Sequence, residues 1–323
     1  MAKHLVVTGA AGFIGSHLCE ALLARGHAVT GVDCLTDYYD VRIKRDNLAQ
    51  FASHERFRFV EESLSAVALD ALLEGAGAVF HLAAQAGVRR SWGDEFEHYL
   101  EHNIRATQRL CEALRRHAGT KLVYASSSSV YGQTALLPMR EDHPVHPRSP
   151  YGVTKLAGES LCLLYGANHG VPVVCLRYFT VYGPRQRPDM AFHKFIRAAL
   201  DGAPSEVYGS GTQTRDFTYV DDAVAANLAA MDYDGAGTVF NIGGGSRVSL
   251  NHVIDVIGQV TGRTVDARYR EEQKGDVMHT FADISAADAE LGYRPAVALE
   301  AGLAREVEWV DAVYRRLARQ GAR

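Results

Sequence analysis

Nowhere does the chain carry an apolar run approaching the ~18 to 20 residues needed to cross a bilayer. Its long apolar stretches are of the size of VPVVCL, Val171 to Leu176, so a membrane protein is excluded. Cysteine is scarce: Cys19, Cys34, Cys111, Cys162 and Cys175 are odd in number, widely spaced and without a CxxC pair. That argues against a disulfide framework and against a zinc or other metal site, and makes a reducing cytoplasm the simplest setting. Charge of one sign is missing too, with 34 Lys and Arg against 38 Asp and Glu for a net of -4. There is no basic field for nucleic acid or an anionic membrane, and any anionic ligand must meet locally clustered cations. The chain holds no internal repeat and no low-complexity segment.

What is there fits a globular protein of about two domains: 323 residues, 47% hydrophobic and 22% charged. The N-terminal apolar run is interrupted by Gly9, Gly12 and Gly15 with no cleavage-type segment after it, and reads as mature sequence. The first third alternates short β-branched runs with segments of helical periodicity, the βαβ pattern of a parallel sheet. Strands are predicted at His4 to Thr8, Ala28 to Asp33, Phe57 to Val60, Ala78 to Leu82, Lys121 to Ala125 and Pro172 to Arg177. Helices are predicted at Phe13 to Arg25, Phe96 to Ala118 and Tyr151 to His169, the last two separated by a proline-rich loop. This is an α/β fold, a Rossmann-type doubly wound parallel sheet over residues 1–176. A smaller, mixed α/β C-terminal substrate domain is expected over 177–323, with 219–242 able to rejoin the first sheet. A final amphipathic helix is predicted from Leu299 to Ala318; Arg315, Arg316, Arg319 and Arg323 near its end read as ordinary favourable C-terminal cations.

TGAAGFIG places Gly9, Gly12 and Gly15 between a predicted strand and a predicted helix, with Phe13 and Ile14 opening the helix. Backbone amides there can approach a pyrophosphate at the helix N-terminus. Asp33 ends the second strand eighteen residues after Gly15, where a carboxylate accepts hydrogen bonds from an adenosine ribose and repels a 2'-phosphate. NAD is therefore the expected cofactor. HLAAQAG follows a further strand end, where Leu82 and Ala83 let backbone touch the same ligand. Tyr151 and Lys155 form YxxxK on one helix face, and an ammonium beside a phenol favours phenolate, which makes Tyr151 a candidate base. SSSSVYG, Ser126 to Gly132, emerges at the carboxyl end of the sheet, where ligands bind in such folds.

In this order, glycine loop, acidic strand end, serine loop and YxxxK resemble the extended short-chain dehydrogenase/reductase family of nucleotide-sugar enzymes, over essentially the whole chain. The resemblance implies that Ser127 hydrogen-bonds beside the sugar 4-OH, Tyr151 is the acid/base, and Lys155 tunes it and holds the nicotinamide ribose. It also places Tyr178 near the nicotinamide, Arg215 on the diphosphate of a UDP-sugar and Asp276 on its ribose. RYFTVYGPRQRPDMA and GVDCLTDYYDVRIKR are most similar to the UDP-glucuronate 4-epimerases. Glucose-type epimerases commonly have asparagine where this chain has Thr180; a short hydroxyl leaves room and a donor for a carboxylate. Thr180, Ser128, Arg187 and Arg89 are the acid-recognition candidates, while Arg185 and Arg90 read as surface. The resemblance further implies a homodimer, built by the helices Phe96 to Ala118 and Tyr151 to His169.

There are departures from the family pattern. Glu62-Ser63-Leu64 stands where a Gly-Asp-Leu contacting adenine is usual, Cys34 replaces an asparagine and Lys274 a proline. The implied chemistry is 4-epimerisation of UDP-glucuronate to UDP-galacturonate through a 4-keto acid whose carboxylate lies beta to the ketone, the C4 hydride passing to NAD and back. UDP-glucuronate decarboxylase and UDP-glucose 4-epimerase share the Tyr and Lys and are the rival readings. An NAD-binding regulator without activity would lack a use for Ser127, Tyr151 and Lys155.

Overall fold

The computed structural model describes residues 2–321. Its first part runs β1 (His4–Thr8), α1 (Phe13–Ala24), β2 (Ala28–Val32), α2 (Val41–Ala49), β3 (Phe57–Val60), α3 (Leu69–Leu73), β4 (Ala76–His81), α4 (Phe96–Tyr99), α5 (Ala106–Leu114), β5 (Lys121–Ser127), α6 (Pro150–His169) and β6 (Val173–Tyr178). The second part comprises β7 (Thr180–Tyr182), α7 (Ala191–Asp201), β8 (Pro204–Tyr208), β9 (Thr214–Tyr219), α8 (Val220–Asp232), β10 (Thr238–Ile242), β11 (Arg247–Ser249), α9 (Leu250–Thr261), β12 (Asp266–Arg270), α10 (Ser285–Leu291) and α11 (Leu299–Gly321).

Strands made of near-continuous apolar runs, such as VVCLRY of β6 with all six residues buried, need cover on both faces and so form a parallel sheet under helices. Seven strands pair in the order β10-β6-β5-β4-β1-β2-β3, and every pair is parallel. The chain turns from β1 toward β2 and β3 on one side and toward β4 on the other, which opens a crevice at the carboxyl ends of β1 and β4. Register aligns those ends: Thr8 lies opposite Val32 and His81, and Ser127 opposite Tyr178. Beyond them stand a three-stranded sheet, β11-β9-β7, and a two-stranded one, β12-β8. Among the described residues no helix is long and apolar enough to cross a membrane.

Several sequence expectations shift. The predicted strand and helix at 219–242 do rejoin the first sheet, β10 pairing with β6 at its edge. The expected division after residue 176 falls inside β6, which continues to Tyr178. β5 runs on through Ser126 and Ser127, so these serines are strand rather than loop. The single helix predicted at 96–118 ends at Leu114 and is interrupted by a wide π-helical turn over Leu100–Arg105. Arg185, read as surface, is packed against α1, its side chain only 10% exposed and 2.7 Å from Glu20. Arg315 and Arg316 pair with Asp311 and Asp46; Arg323 lies outside the described residues.

α6 carries YxxxK, and its ends are well specified. Ser149 Oγ accepts from Gly152 N at 3.1 Å, Pro150 opens the first turn, and Gly170 at φ 68° closes the last. Tyr151, Lys155 and Glu159 recur every four residues and form one face. Glu159 meets Arg177 of β6 there, at 2.6 and 3.0 Å, with side chains 3% and 6% exposed. Glu159 also accepts from Ser126 Oγ at 2.6 Å, and Arg177 donates to Tyr131 at 2.8 Å. Glu159→Ala strands the guanidinium and is expected to lose about 3–5 kcal/mol in urea unfolding. The double variant Glu159→Leu with Arg177→Met should lose far less, because no buried charge is left uncompensated.

Candidate active site

The turn after β1 is shaped by the absence of side chains. Gly9 takes φ +73°, and a Cβ on Gly15 would lie 2.1 Å from the Gly9 carbonyl oxygen. The start of α1 is thus pressed against the turn, with Gly12 as its N-cap and no side chain satisfying the first amides. The Asp33 carboxylate accepts from Ala11 N at 3.1 Å and Leu35 N at 2.8 Å, which fixes it beside the glycine turn. Ala83 N donates to Thr8 Oγ1 at 3.1 Å and bounds the turn from the β4 side. Gly9, Gly12, Phe13, Ile14, Gly15 and Asp33 line one cleft, joined on its other walls by Leu82, Ala83, Tyr151, Lys155, Tyr178 and Arg187. A glycine cradle, a fixed carboxylate at a strand end and unsatisfied helix amides suit a dinucleotide.

A second pocket opens beyond Ser127, lined by Ser128, Thr180, Arg215 and Asp276, with Arg148 as a further cation. Thr180 is the first residue of β7, not a loop residue. Arg215 is largely enclosed and donates from Nη1 to Thr214 O and Met278 O at 2.9 and 3.1 Å. Asp276 accepts from Arg89 Nη2 at 2.9 Å. Arg89 was expected beside Thr180; instead it stacks over the Tyr208 ring at 4.2 Å, held by Asp276 and outside the lining of the Thr180 pocket. Arg187 lines the cleft with Tyr151 and is not in the lining of the pocket that holds Thr180 and Ser128.

Tyr151 lines the first of these spaces. Burial pushes its phenol above the usual tyrosine value, and the Arg187 charge and the Ser127 hydroxyl pull it back. Ser127 Oγ accepts from Ser129 N at 3.1 Å, leaving its own proton to donate elsewhere. Lys155 was expected to be what lowers Tyr151; here its ammonium sits 4.6 Å over the Tyr124 ring, and burial brings its own pKa down to about 8. Tyr178 closes the cleft floor and donates to Asn227 Oδ1 at 2.9 Å.

Sequence reasoning missed three contributors. Asn103, in the π-helical turn, accepts from Gln85 N at 2.7 Å and donates to Gln85 O and to Thr154 Oγ1, both at 2.9 Å. It joins the loop after β4 to α6, the kind of place where a π turn is found. Lys44, 6% exposed, lines the cleft near Asp33 and donates to Thr36 Oγ1 at 3.0 Å. His81 is buried between Thr8 Oγ1 at 2.8 Å and Thr107 Oγ1 at 3.0 Å, and burial lowers its pKa to about 3, so it stays neutral. A single Asn or Lys among other polar helix residues, or a lone His at a strand end, gives no periodic signal that sets it apart.

The model of the NAD dependent epimerase/dehydratase family matches residues 5–243, and the chain belongs to that family. It is 40% identical to UDP-glucuronate 4-epimerase of Thermodesulfobacterium geofontis over 95% of both chains. It is 45% identical to an uncharacterised UDP-glucose epimerase of Bacillus subtilis, over 96% of this chain and 99% of the relative. It superimposes with a TM-score of 0.94, at 43% identity, on UDP-glucuronic acid 4-epimerase from Bacillus cereus in complex with UDP-glucuronic acid and NAD, covering 97% of this chain and 100% of that one.

Two outcomes are expected. Gly15→Ala should abolish detectable NAD binding in a fluorescence titration, since the methyl has no room against Gly9. Lys155 has a folded pKa of about 8, below its unfolded value near 10.5, so its burial costs stability fully below pH 8 and the cost fades as pH rises through 8 to 10.5. Lys155→Met should therefore be more stable than the parent at pH 7, and the gap should narrow by about 2 kcal/mol at pH 9.5 in urea unfolding of the NAD-free proteins.

Proposed function

We propose that the protein is an isomerase that interconverts UDP-glucuronate and UDP-galacturonate by NAD-dependent 4-epimerisation. The observation that carries the reading is Tyr151 in a glycine-cradled cleft and influenced by Ser127, whose chain neighbour Ser128 lines a second pocket with Thr180, Arg215 and Asp276. The family supports it, as do the relatives that take UDP-glucuronate with NAD.

NAD supplies a hydride acceptor and donor when it occupies the cleft between Gly9, Gly12, Gly15 and Asp33, with Phe13, Ile14, Leu82, Ala83 and Tyr178 as its apolar walls. Tyr151 takes the proton from the sugar 4-OH and returns it, and Ser127 donates a hydrogen bond beside that oxygen. Lys155 holds the nicotinamide ribose. A cation next to the phenol is also needed for Tyr151 to work near neutral pH, and Arg187 stands in that place in the ligand-free chain. Arg215 faces the diphosphate, Asp276 the uridine ribose with Arg89 behind it, and Thr180 and Ser128 the sugar carboxylate. Held there, the carboxylate cannot swing into alignment with the C4 ketone, and loss of carbon dioxide is avoided.

The chain divides its labour between the seven-stranded sheet and the smaller sheets beyond Tyr178, cofactor in the first and UDP-sugar in the second. Val153 and Leu164 of α6 are 49% and 56% exposed, in keeping with a homodimer through that helix, in a cytoplasmic enzyme.

Purified protein given UDP-glucuronate without reductant should form UDP-galacturonate, seen by proton NMR, with no net NADH absorbance. A UDP-pentose with carbon dioxide would mark a decarboxylase, and turnover of UDP-glucose alone would mark a glucose-type epimerase. Tyr151→Phe should bind NAD and lose at least ~100-fold in rate.

A further inference from the structure

The segment that follows β7 is held from three sides. Gly183 N donates to Glu306 Oε2 of α11 at 2.8 Å, and His17 of α1 meets Pro184 O at 2.9 Å. His193 of α7 holds Gln186 with both its backbone and its ring: its N donates to Gln186 Oε1 at 3.1 Å, and its Nδ1 donates to Gln186 O at 2.8 Å. The backbone that carries Arg187 is thereby fixed, and only the side chain is left to be directed.

Asp189 directs it. Arg187 donates from Nε to Asp189 Oδ1 at 2.9 Å and from Nη2 to Oδ2 at 3.0 Å, a side-on bidentate pair with both partners mostly enclosed. Tyr38 donates to the same carboxylate at 3.4 Å, and its ring is covered by Arg90 at 4.7 Å. This pairing uses two of the three guanidinium nitrogens. Among the described residues Nη1 makes no hydrogen bond, and Arg187 lines the cleft with Tyr151.

We infer that Asp189 is a positioning residue for substrate charge: it turns Arg187 so that Nη1 meets an acidic sugar from the Tyr151 cleft, sharing the carboxylate with Thr180 and Ser128, and keeps the guanidinium neutralised when the sugar is neutral. This rests on the proposed acidic substrate and extends it to a residue outside the pocket. With Asp189 in place, a second carboxylate meets an oriented donor rather than a mobile side chain, and a neutral sugar faces no stray charge. The same pairing tempers the Arg187 charge felt by the Tyr151 phenol. Tyr38, Tyr39, Tyr99 and Lys44 are other titratable groups whose ionisation Arg187 influences, and Asp189, with Lys194 nearby, is held below the usual carboxylate range by Arg187.

The test is calorimetric binding of UDP-glucuronate and UDP-glucose to NAD-loaded Tyr151→Phe protein, with and without Asp189→Asn, and with Asp189→Glu as the conservative variant. Asp189→Asn should weaken UDP-glucuronate about tenfold and leave UDP-glucose within about twofold, with Asp189→Glu recovering part of the preference. In the Tyr151-containing enzyme, Asp189→Asn should also move the acid limb of the rate profile to lower pH, since the unscreened Arg187 cation favours phenolate. Equal weakening of both sugars with an unmoved acid limb overturns the role of Asp189 alone and makes it a packing residue. A parent that binds UDP-glucuronate no tighter than UDP-glucose overturns the acidic-substrate reading, and this inference with it.

Discussion

The Glu159–Arg177 pair is the contact on which the geometry of the site depends. Glu159 lies on the same face of α6 as Tyr151 and Lys155, and its carboxylate accepts from Arg177 of β6 and Ser126 of β5. Arg177 continues the network to Tyr131, whose hydroxyl donates to Asn241 of β10 at 2.8 Å. One buried charge pair thus ties the reactive helix to three adjacent strands, just below their carboxyl ends. An apolar contact of the same volume would hold α6 to the sheet but would tolerate sliding along it. A bidentate pair with its remaining lone pairs filled does not, and a slide of one helical turn, about 5.4 Å, would carry Tyr151 out of reach of Ser127.

The site is divided by chemistry as well as by space. The cleft at the glycine turn offers backbone amides, the carboxylates of Asp33 and Glu62 and three cations, Lys44, Lys155 and Arg187, while the pocket of Ser128 offers arginines, short hydroxyls and Asp276. Tyr151 belongs to the first by its lining, and Ser127, which acts on its phenol, is followed directly by Ser128 of the second. Its environment is apolar enough to favour the neutral phenol, and the cation that counters this comes from the segment after β7 rather than from its own helix.

Much of this was legible in the sequence, and the boundary of legibility is physical. Gly9, Gly12, Gly15, Asp33, Tyr151 and Lys155 act at fixed short spacings within single βα units, so their pattern survives in one dimension. The six strands of the first part follow from apolar runs that only a doubly covered sheet accommodates. Arg89 and Arg185 were placed less well, because an arginine's partner is set by tertiary approach. Asp276 lies 187 positions from Arg89, and Glu20 belongs to a helix far upstream of Arg185. Asn103 was invisible for a related reason. Its segment has ordinary helical periodicity, and the widening of one turn is imposed by the loop and helix it bridges.

The position of β10 at the edge of the seven-stranded sheet bears on how the chain is made. β6, wholly buried, pairs on one side with β5 and on the other with a strand that ends at Ile242. On the ribosome, the sheet that frames the glycine cradle therefore waits with an open, apolar edge while some sixty further residues emerge, including all of β7, α7, β8, β9 and α8. Such an edge invites pairing with other chains. α8, which packs on α1 and lies alongside β5 and β6, emerges directly before β10, so the cover of this face and the closing of its edge come together at the end of that interval.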